Sequence, residues 1–257
     1  MKQRPLRSAA RIARFGAVTG LLLPAFVARR TVGSATGLGD SGDVLRDRWV
    51  RIWSGALLRT FGVQVLGTGQ APPRGRGHLV VANHRSTADV LALLHAFGGR
   101  MVSRADLARW PLVGPAARAV GTIFVDRADA ASGAGAVRAI RTQLAAGSTV
   151  IVFPEGTTYP GDDVRPFHPG AFIAALRSGS DVVPVGLAYQ TGSGAAFVNE
   201  SFPAHLARMA AAEPSRVAMC IGTPITIAER TRAGHLAARA QTDVQRLVGA
   251  ARALVDA

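Results

Sequence analysis

Short apolar strand patterns alternate with helical patterns from residue 79 onward, and this alternation limits the possible folds more than any other feature of the sequence. Strands are predicted at 79–82, 100–103, 121–125, 149–153, 182–188 and 216–221. Helices are predicted at 88–97, 105–120, 133–146, 171–178 and 231–255. Short buried strands separated by helices are typical of a parallel sheet that helices cover on both faces. The sequence therefore predicts an α/β fold with a mostly parallel central sheet flanked by helices.

The first thirty residues are the one part of the chain with the pattern of a targeting segment. Four arginines precede an apolar stretch at 15–28, and Arg29 and Arg30 follow it. At ~1.5 Å per residue this stretch would span ~21 Å, less than the ~30 Å core of a bilayer, and Pro24 is expected to break it. The order also fits a cleaved signal peptide, but the two arginines occupy the place of a cleavage site. A retained anchor that enters one leaflet is the favoured interpretation.

A second stretch, at 44–65, places Trp49, Trp53 and Phe61 at helical spacings and interleaves them with arginines. Trp beside Arg is typical of a helix at a membrane surface. The same stripe would also suit a helix docked on the rest of the domain, and the sequence leaves both interpretations open. Together the two stretches predict an N-terminal membrane-seating helical segment over residues 1–70, followed by an α/β domain over residues 71–257.

The charge balance indicates the kind of partner. Thirty basic residues against sixteen acidic ones give a net charge of +14, which implies nucleic acid, an anionic membrane surface or a phosphate-bearing substrate. Only two Tyr and three Trp are present, and the Trp residues fall beside apolar helical faces, not on an Arg-rich strand surface of the kind that binds nucleic acid. The single cysteine, Cys220, lies in an apolar run and excludes an internal disulfide. We therefore expect an anionic membrane surface as a partner and no nucleic acid.

The most informative chemistry follows the strand at 79–82, where Asn83 and His84 begin a polar turn that continues to Asp89. In one continuous helix His84 and Asp89 would lie ~140° apart. They meet if His84 lies in the turn and Asp89 in the first helical turn, which would make a general base with its orienting carboxylate. Ser86 and Asp89 also match the spacing of a helix capping box, in which case His84 is only a turn residue. The motif alone leaves both interpretations open.

Three further strand ends carry polar or unusual residues. The strand at 121–125 leads to Arg127, which by itself is more often a solvated charge than a ligand. The strand at 149–153 leads to a turn that offers a carboxylate, backbone N–H groups and hydroxyls at one place. That turn consists of Glu155, Gly156, Thr157 and Thr158. The strand at 182–188 contains Pro184, which alone indicates only an edge strand or a bulge.

Taken in order, these blocks resemble those of the glycerolipid acyltransferase family. The matching stretches are 83–89, 121–127, 153–157 and 182–185, and residues 102–114 are also similar. The resemblance implies that His84 is the general base that activates an acceptor hydroxyl and that Asp89 is its partner. It implies that Arg127 holds the phosphate of the acceptor. The other matched polar residues would then shape the substrate-binding site: Asn83, Glu155, Gly156, Thr157 and Thr158.

Two positions depart from the family pattern. Thr158 stands where many members carry Arg, and His168 stands where Lys is common. Both changes remove positive charge near the expected phosphate site, and Arg165 would replace part of it. The departures leave the reaction class intact and the acceptor headgroup open.

The resemblance implies an O-acyltransferase that moves a fatty acyl group from acyl-CoA or acyl carrier protein to a lysophospholipid hydroxyl. Lysophosphatidic acid, converted to phosphatidic acid, is the first expectation, and lyso-ornithine lipid or another lysolipid is the alternative. A basic nucleic-acid-binding protein is the alternative of another class. No metal and no bound cofactor are expected. The expected location is the cytoplasmic face of the cell inner membrane, with peripheral or single-leaflet association.

Overall fold

The structure is a computed structural model that describes residues 3–36, 42–73, 75–126, 128–197 and 199–257. Its helices are α1 (Gln3–Thr36), α2 (Gly42–Phe61), α3 (Thr87–Phe97), α4 (Val113–Ala119), α5 (Ala130–Ala145), α6 (Gly170–Ser178), α7 (Phe202–Ala211) and α8 (Ala233–Asp256). Its strands are β1 (Val63–Thr68), β2 (His78–Ala82), β3 (Arg100–Arg104), β4 (Ile123–Val125), β5 (Thr149–Val152), β6 (Asp181–Tyr189) and β7 (Ser215–Ile221). A 3₁₀ helix, Ala105–Arg109, follows β3.

The strands form a single sheet in the order β1-β7-β6-β2-β5-β3-β4. Neighbouring strands are parallel except β6 and β7, which are antiparallel. The predicted fold, a mostly parallel sheet flanked by helices, is confirmed. Because β2 lies between β5 and β6, polar residues that follow β2 and β5 are brought to one edge of the sheet, beside the end of β6.

The two faces of the sheet carry separate apolar cores. Every residue of β2 is buried, and alternate side chains point to opposite faces. Val80 packs with apolar residues of α2, α3 and α7, whereas Leu79 packs with residues of α5, α6 and α8. Burial on both faces explains why the strands are continuous apolar runs without polar alternation.

The helical pattern at 44–65 ends earlier than the sequence predicts. α2 stops at Phe61, Gly62 takes a positive φ of 69°, and β1 begins at Val63 and pairs in parallel with β7. Glycine adopts this conformation without a steric penalty and so terminates the helix. The division at residue 70 assigns β1 to the N-terminal segment, whereas in the structure β1 belongs to the sheet.

Two other helix predictions need correction. The stretch at 105–120 is not one helix, because Pro111 lacks an N–H group and restricts the preceding residue; a 3₁₀ helix and α4 lie on either side of it. α7 is not predicted from the sequence, although Ser201 caps it and Pro203 lies in its first turn.

α1 is one continuous helix with Pro24 inside it, so the expected break at this proline is wrong. Among the described residues, Leu6–Gly33 is the one segment long and apolar enough to cross a membrane. The helix also packs against the domain. Arg11 is buried and donates to the carbonyl of Ala212 at 2.6 Å, beside the C-terminus of α7, where a cation is favoured.

The Trp stripe of α2 docks on α1. Trp53 Nε1 donates to Thr19 Oγ1 at 3.2 Å, and the Trp49 ring lies 6.1 Å from the ring of Phe26, measured between centroids. Trp53 also packs against the apolar core on one face of the sheet, so the docking interpretation is confirmed for Trp53, whereas Trp49 contacts Phe26 of α1.

Candidate active site

His84 and Asp89 meet at the C-terminal end of β2. The chain turns after Ala82, Ser86 caps α3, and Asp89 lies in the first turn of that helix. His84 Nδ1 lies 2.9 Å from Asp89 Oδ2. The Asp89 side chain is fully buried, and the His84 side chain is 19% exposed. The predicted contact between these two side chains is confirmed.

The Asp89 carboxylate both caps α3 and receives His84. Its Oδ2 atom accepts the backbone N–H groups of Arg85 at 2.6 Å and Ser86 at 2.8 Å, and Ser86 completes the capping box. Its Oδ1 atom accepts the hydroxyl of Tyr189. Four donors therefore surround the Asp89 carboxylate, which in its ionised form has acceptors and no donor of its own. The capping box and the contact between Asp89 and His84 are therefore both present in the structure.

Tyr189 completes this arrangement from the end of β6. Its side chain is buried, and burial, followed by the neighbouring Asp89 carboxylate, raises the pKa of Tyr189 well above its usual value. The hydroxyl therefore stays protonated and serves as a donor to Asp89. No local pattern reveals this role, because the two residues lie 100 positions apart.

The His84 ring is held on a second side by Phe153. The two rings are stacked at 3.8 Å between centroids with an interplanar angle of 7°. With Nδ1 facing Asp89, Nε2 has no hydrogen-bond partner among the residues that the structure describes. A neutral imidazole that donates through Nδ1 presents Nε2 as an acceptor. The ring is therefore fixed with a basic nitrogen available to an incoming hydroxyl.

Glu155, which follows β5, fixes the turn that carries His84. Its Oε1 atom accepts the backbone N–H of His84 at 2.7 Å, and its Oε2 atom accepts that of Arg165 at 2.9 Å. Its side chain is fully buried and paired with Arg85 at 3.1 Å. Gly156 then turns with a φ of 86°, where a side chain would be strained. Glu155 thus holds two loops together at the site.

Arg85 is a site residue that the sequence analysis missed. It is 3% exposed, and besides Glu155 it donates to the carbonyls of His84 at 2.9 Å and Asp163 at 2.8 Å, and to that of Gly161. A guanidinium supplies five donors in one plane, so it can join the His84 turn to the loop at 161–163. The sequence indicated this role through the position of Arg85, which lies between His84 and Ser86 within the motif at 83–89.

The remaining expected substrate-binding residues differ in their surroundings. Asn83 is fully buried, and its side chain donates to the carbonyl of Leu187 at 2.9 Å and accepts the Leu187 N–H at 2.8 Å. With both polar ends paired to β6, Asn83 positions the end of β2 and does not present its amide to a substrate. Thr157 is exposed, and Thr158 donates its hydroxyl to the carbonyl of Phe197. Arg127 lies outside the described residues.

The two later positions near this turn also have defined places. The exposed Arg165 guanidinium lies 5.2 Å from the centroid of the Tyr159 ring, and the Tyr159 N–H donates to the His84 carbonyl at 3.1 Å. The backbone N–H of His168 donates to the carbonyl of Pro154 at 3.0 Å. Arg165 therefore lies beside the turn where Thr158 replaces the family's arginine.

A second polar cluster attaches α7 to the start of α3. His205 is fully buried, with Nε2 at 2.8 Å from Thr87 Oγ1 and Nδ1 at 2.9 Å from Glu200 Oε1. Burial lowers the pKa of His205. The hydrogen bond from Arg208, with support from His205, lowers the pKa of Glu200 to about 2. This cluster buttresses the helix whose first turn carries Asp89.

The Glu200 pKa predicts a defined loss of acid stability. A carboxyl whose folded pKa is depressed stabilises the fold fully above its unfolded pKa, and this contribution disappears as the pH falls through the folded pKa. Glu200→Gln should therefore lower the melting temperature at neutral pH. The difference from the wild type should shrink below about pH 4.5 and vanish only below about pH 2. A difference that stays constant in melts from pH 7 to pH 2 would exclude this ionic role.

The chain resembles known proteins in sequence and in fold. The model of the family described as Acyltransferase matches residues 63–188. The lyso-ornithine lipid O-acyltransferase of Pseudomonas aeruginosa is 33% identical over 210 residues, which cover 78% of each protein. The 1-acyl-sn-glycerol-3-phosphate acyltransferase of Neisseria gonorrhoeae is 31% identical over 124 residues, about half the length of each protein (48% of this chain and 49% of the relative).

A solved structure shares the fold. The crystal structure of the 1-acyl-sn-glycerophosphate (LPA) acyltransferase from Thermotoga maritima matches with a TM-score of 0.73. The match covers 97% of this chain and 98% of that one, at 21% sequence identity. From its family match, its relatives and its fold, the chain belongs to the Acyltransferase family and is an acyltransferase.

Proposed function

We propose that the chain transfers a fatty acyl group from a thioester to the hydroxyl of a lysolipid, with His84 as the general base. The observation that carries this proposal is the pairing of His84 Nδ1 with the buried Asp89 carboxylate at 2.9 Å, which leaves Nε2 available. This is the arrangement that a base needs in order to take a proton from an alcohol.

In the proposed reaction, Nε2 removes the proton from the acceptor hydroxyl as its oxygen attacks the thioester carbonyl carbon. The C–O bond forms, and the tetrahedral intermediate then breaks its C–S bond. The leaving thiolate takes the proton back from the imidazolium, which yields an oxygen ester and a thiol. Asp89 stabilises the imidazolium while it carries the proton, and Phe153 keeps the ring in its plane. General-base catalysis of this kind contributes ~10²–10⁴-fold to rate.

The acyl donor is proposed to be acyl-CoA or acyl carrier protein. Both carry the acyl group as a thioester, which is already activated for transfer to an alcohol. The proposed chemistry therefore uses the side chains of the site and the two substrates, with no bound cofactor or metal in any step.

Two lysolipids are candidates for the acceptor. Lysophosphatidic acid is favoured by the motif that carries Arg127 and by the exposed Arg165 beside the Thr158 turn, because guanidinium groups bind phosphate well. Lyso-ornithine lipid is favoured by the Pseudomonas relative and by the replacement of arginine by Thr158, which removes a cation. The class of acceptor, a membrane lysolipid with one hydroxyl to acylate, is common to both.

An assay with both acceptors decides between them. If lysophosphatidic acid is the substrate, Arg127→Ala should lower kcat/KM for that acceptor ~10- to 100-fold, because a charge-assisted hydrogen bond contributes ~1.5–3 kcal/mol. The same change should leave use of the acyl donor nearly unaltered. Thr158→Arg should improve use of lysophosphatidic acid and do little for lyso-ornithine lipid. If Arg127→Ala lowered kcat/KM equally for the two acceptors, the assignment of Arg127 to a phosphate-binding site would be wrong.

We also propose that α1 seats the enzyme in one leaflet at the cytoplasmic face of the inner membrane. α1 packs along α2 and the domain, while residues such as Leu21 and Val27 remain exposed on its other side. The net charge of +14 suits a surface of anionic lipids better than nucleic acid, since the acceptor is itself a membrane component.

A further inference from the structure

One large apolar side chain is exposed far from the N-terminal helices. Eight large hydrophobic side chains are exposed among the residues that the structure describes, and seven of them belong to α1 and α2. The eighth is Leu112, which is 51% exposed. Within the described part of the α/β region that follows α2, every other large apolar side chain is at least partly covered.

The backbone at Leu112, which carries this exposed side chain, is strained. Leu112 has φ 61° and ψ −49°, and the Val113 N–H donates to the Pro111 carbonyl at 2.6 Å. These values describe a γ-turn with positive φ, which is rare and unfavourable for a residue with a branched side chain. Such strain persists only where the surroundings impose it. The Trp110 ring, at 4.4 Å from that of Phe202, and the hydrogen bond from the Ala116 N–H to the Leu112 carbonyl fix its two ends.

The turn lies at the edge of the sheet that carries His84. It follows β3 and the 3₁₀ helix, just as the His84 turn follows the parallel strand β2. The helix that follows the turn is linked to α1, because Arg30 donates to the carbonyl of Ala119 at the end of α4. Two exposed cations, Arg109 and Arg118, flank the turn. An exposed apolar tip flanked by two arginines, at the same edge of the sheet as the His84 turn, fits a surface of anionic lipid.

We propose that the turn at 110–113 is a second membrane-contact element, which inserts Leu112 into an anionic bilayer and holds the active-site edge against it. The inference rests on the proposed function insofar as the acceptor is a membrane lipid. If α1 were the only membrane contact, the α/β domain could tilt relative to the bilayer about the axis of that helix. A second contact at the turn would fix its orientation. His84 then faces the depth at which the lipid hydroxyl lies.

The test is binding of the full chain to vesicles of equimolar phosphatidylglycerol and phosphatidylcholine, without turnover. Leu112→Asp should lower the partition coefficient about tenfold or more, because one buried leucine is worth that factor and a charge opposes insertion. Leu112→Gly should lower it by roughly 3- to 10-fold. Glycine accepts a positive φ, so this variant should melt at or above the wild-type temperature.

Ala250→Asp is the matched control, since it makes the same change of charge at an exposed position on α8. It should bind vesicles as the wild type does. Wild-type binding by Leu112→Gly, or an equal loss in Ala250→Asp, would overturn the proposal. Loss of binding to acyl carrier protein in Leu112→Gly, with vesicle binding unchanged, would also overturn it in favour of a protein contact. Because no arm measures turnover, failure of the proposed reaction would leave this test unaffected.

Discussion

His84→Ala should abolish acyl transfer, with a loss of at least ~10²–10⁴-fold in kcat, while the protein remains folded. The variant removes Nε2, the nitrogen proposed to accept the hydroxyl proton. It keeps the backbone N–H that Glu155 binds at 2.7 Å, so the turn should retain its shape. Release of thiol from acyl-CoA in the presence of a lysolipid measures the rate, and circular dichroism checks the fold.

His235→Ala is the matched control for this experiment, because His235 is an exposed histidine on α8. Its rate should equal that of the wild type. A folded His84→Ala protein with a rate close to wild type would show that another group takes the proton, and the mechanism would have to be abandoned.

Glu155→Ala should have the largest effect on stability. It leaves the buried guanidinium of Arg85 without its ion pair and removes the acceptor of two backbone N–H groups, those of His84 and Arg165. Breaking a buried pair by removing one partner costs about 3–5 kcal/mol. Activity should fall with it, because the His84 turn loses its attachment to β5. Glu155→Gln keeps an acceptor oxygen, so its free energy of unfolding should lie between those of the wild type and Glu155→Ala.

An exposed ion pair provides the contrast. Arg104 and Asp106 are paired at 2.9 Å, but their side chains are 69% and 45% exposed. Asp106→Ala should therefore change the unfolding free energy by less than about 1 kcal/mol. Urea unfolding of the three variants beside the wild type measures the difference. If Glu155→Ala proved as stable as Asp106→Ala, the pair with Arg85 would not be what joins the two loops.

Local sequence patterns were sufficient for six of the seven strands and for the contact between His84 and Asp89. Strands that are buried on both faces are recognisable from their own apolar sequence. Asp89 lies only five residues after His84, and the turn between them restricts where its side chain can lie. β1 was missed because Val63 and Val65 continue the apolar spacing of α2, and only Gly62 marks the change. A short edge strand forms because it pairs with a neighbouring strand, here β7, and that pairing is not visible in the local sequence.

The supporting residues of the site depended on tertiary structure. Tyr189 reaches Asp89 from a strand 100 positions away, and Phe153 stacks on His84 from the strand beside β2. The side-chain amide of Asn83 could have bound a substrate. Because it is buried, however, it needs hydrogen-bond partners within the protein, and the backbone of Leu187 in β6 provides them. The motif located the proposed base, whereas the groups that hold it follow from packing.

The stoichiometry of the reaction tests the central claim most directly. Purified full-length protein is incubated with a radiolabelled acyl thioester, with and without lysolipid, and the thiol released is compared with the acylated lipid formed. The account predicts that thiol release depends on the lysolipid and that each thiol released corresponds to one new ester. Thiol release at the same rate without lysolipid, with free fatty acid as the product, would instead show that His84 activates water and would contradict the account.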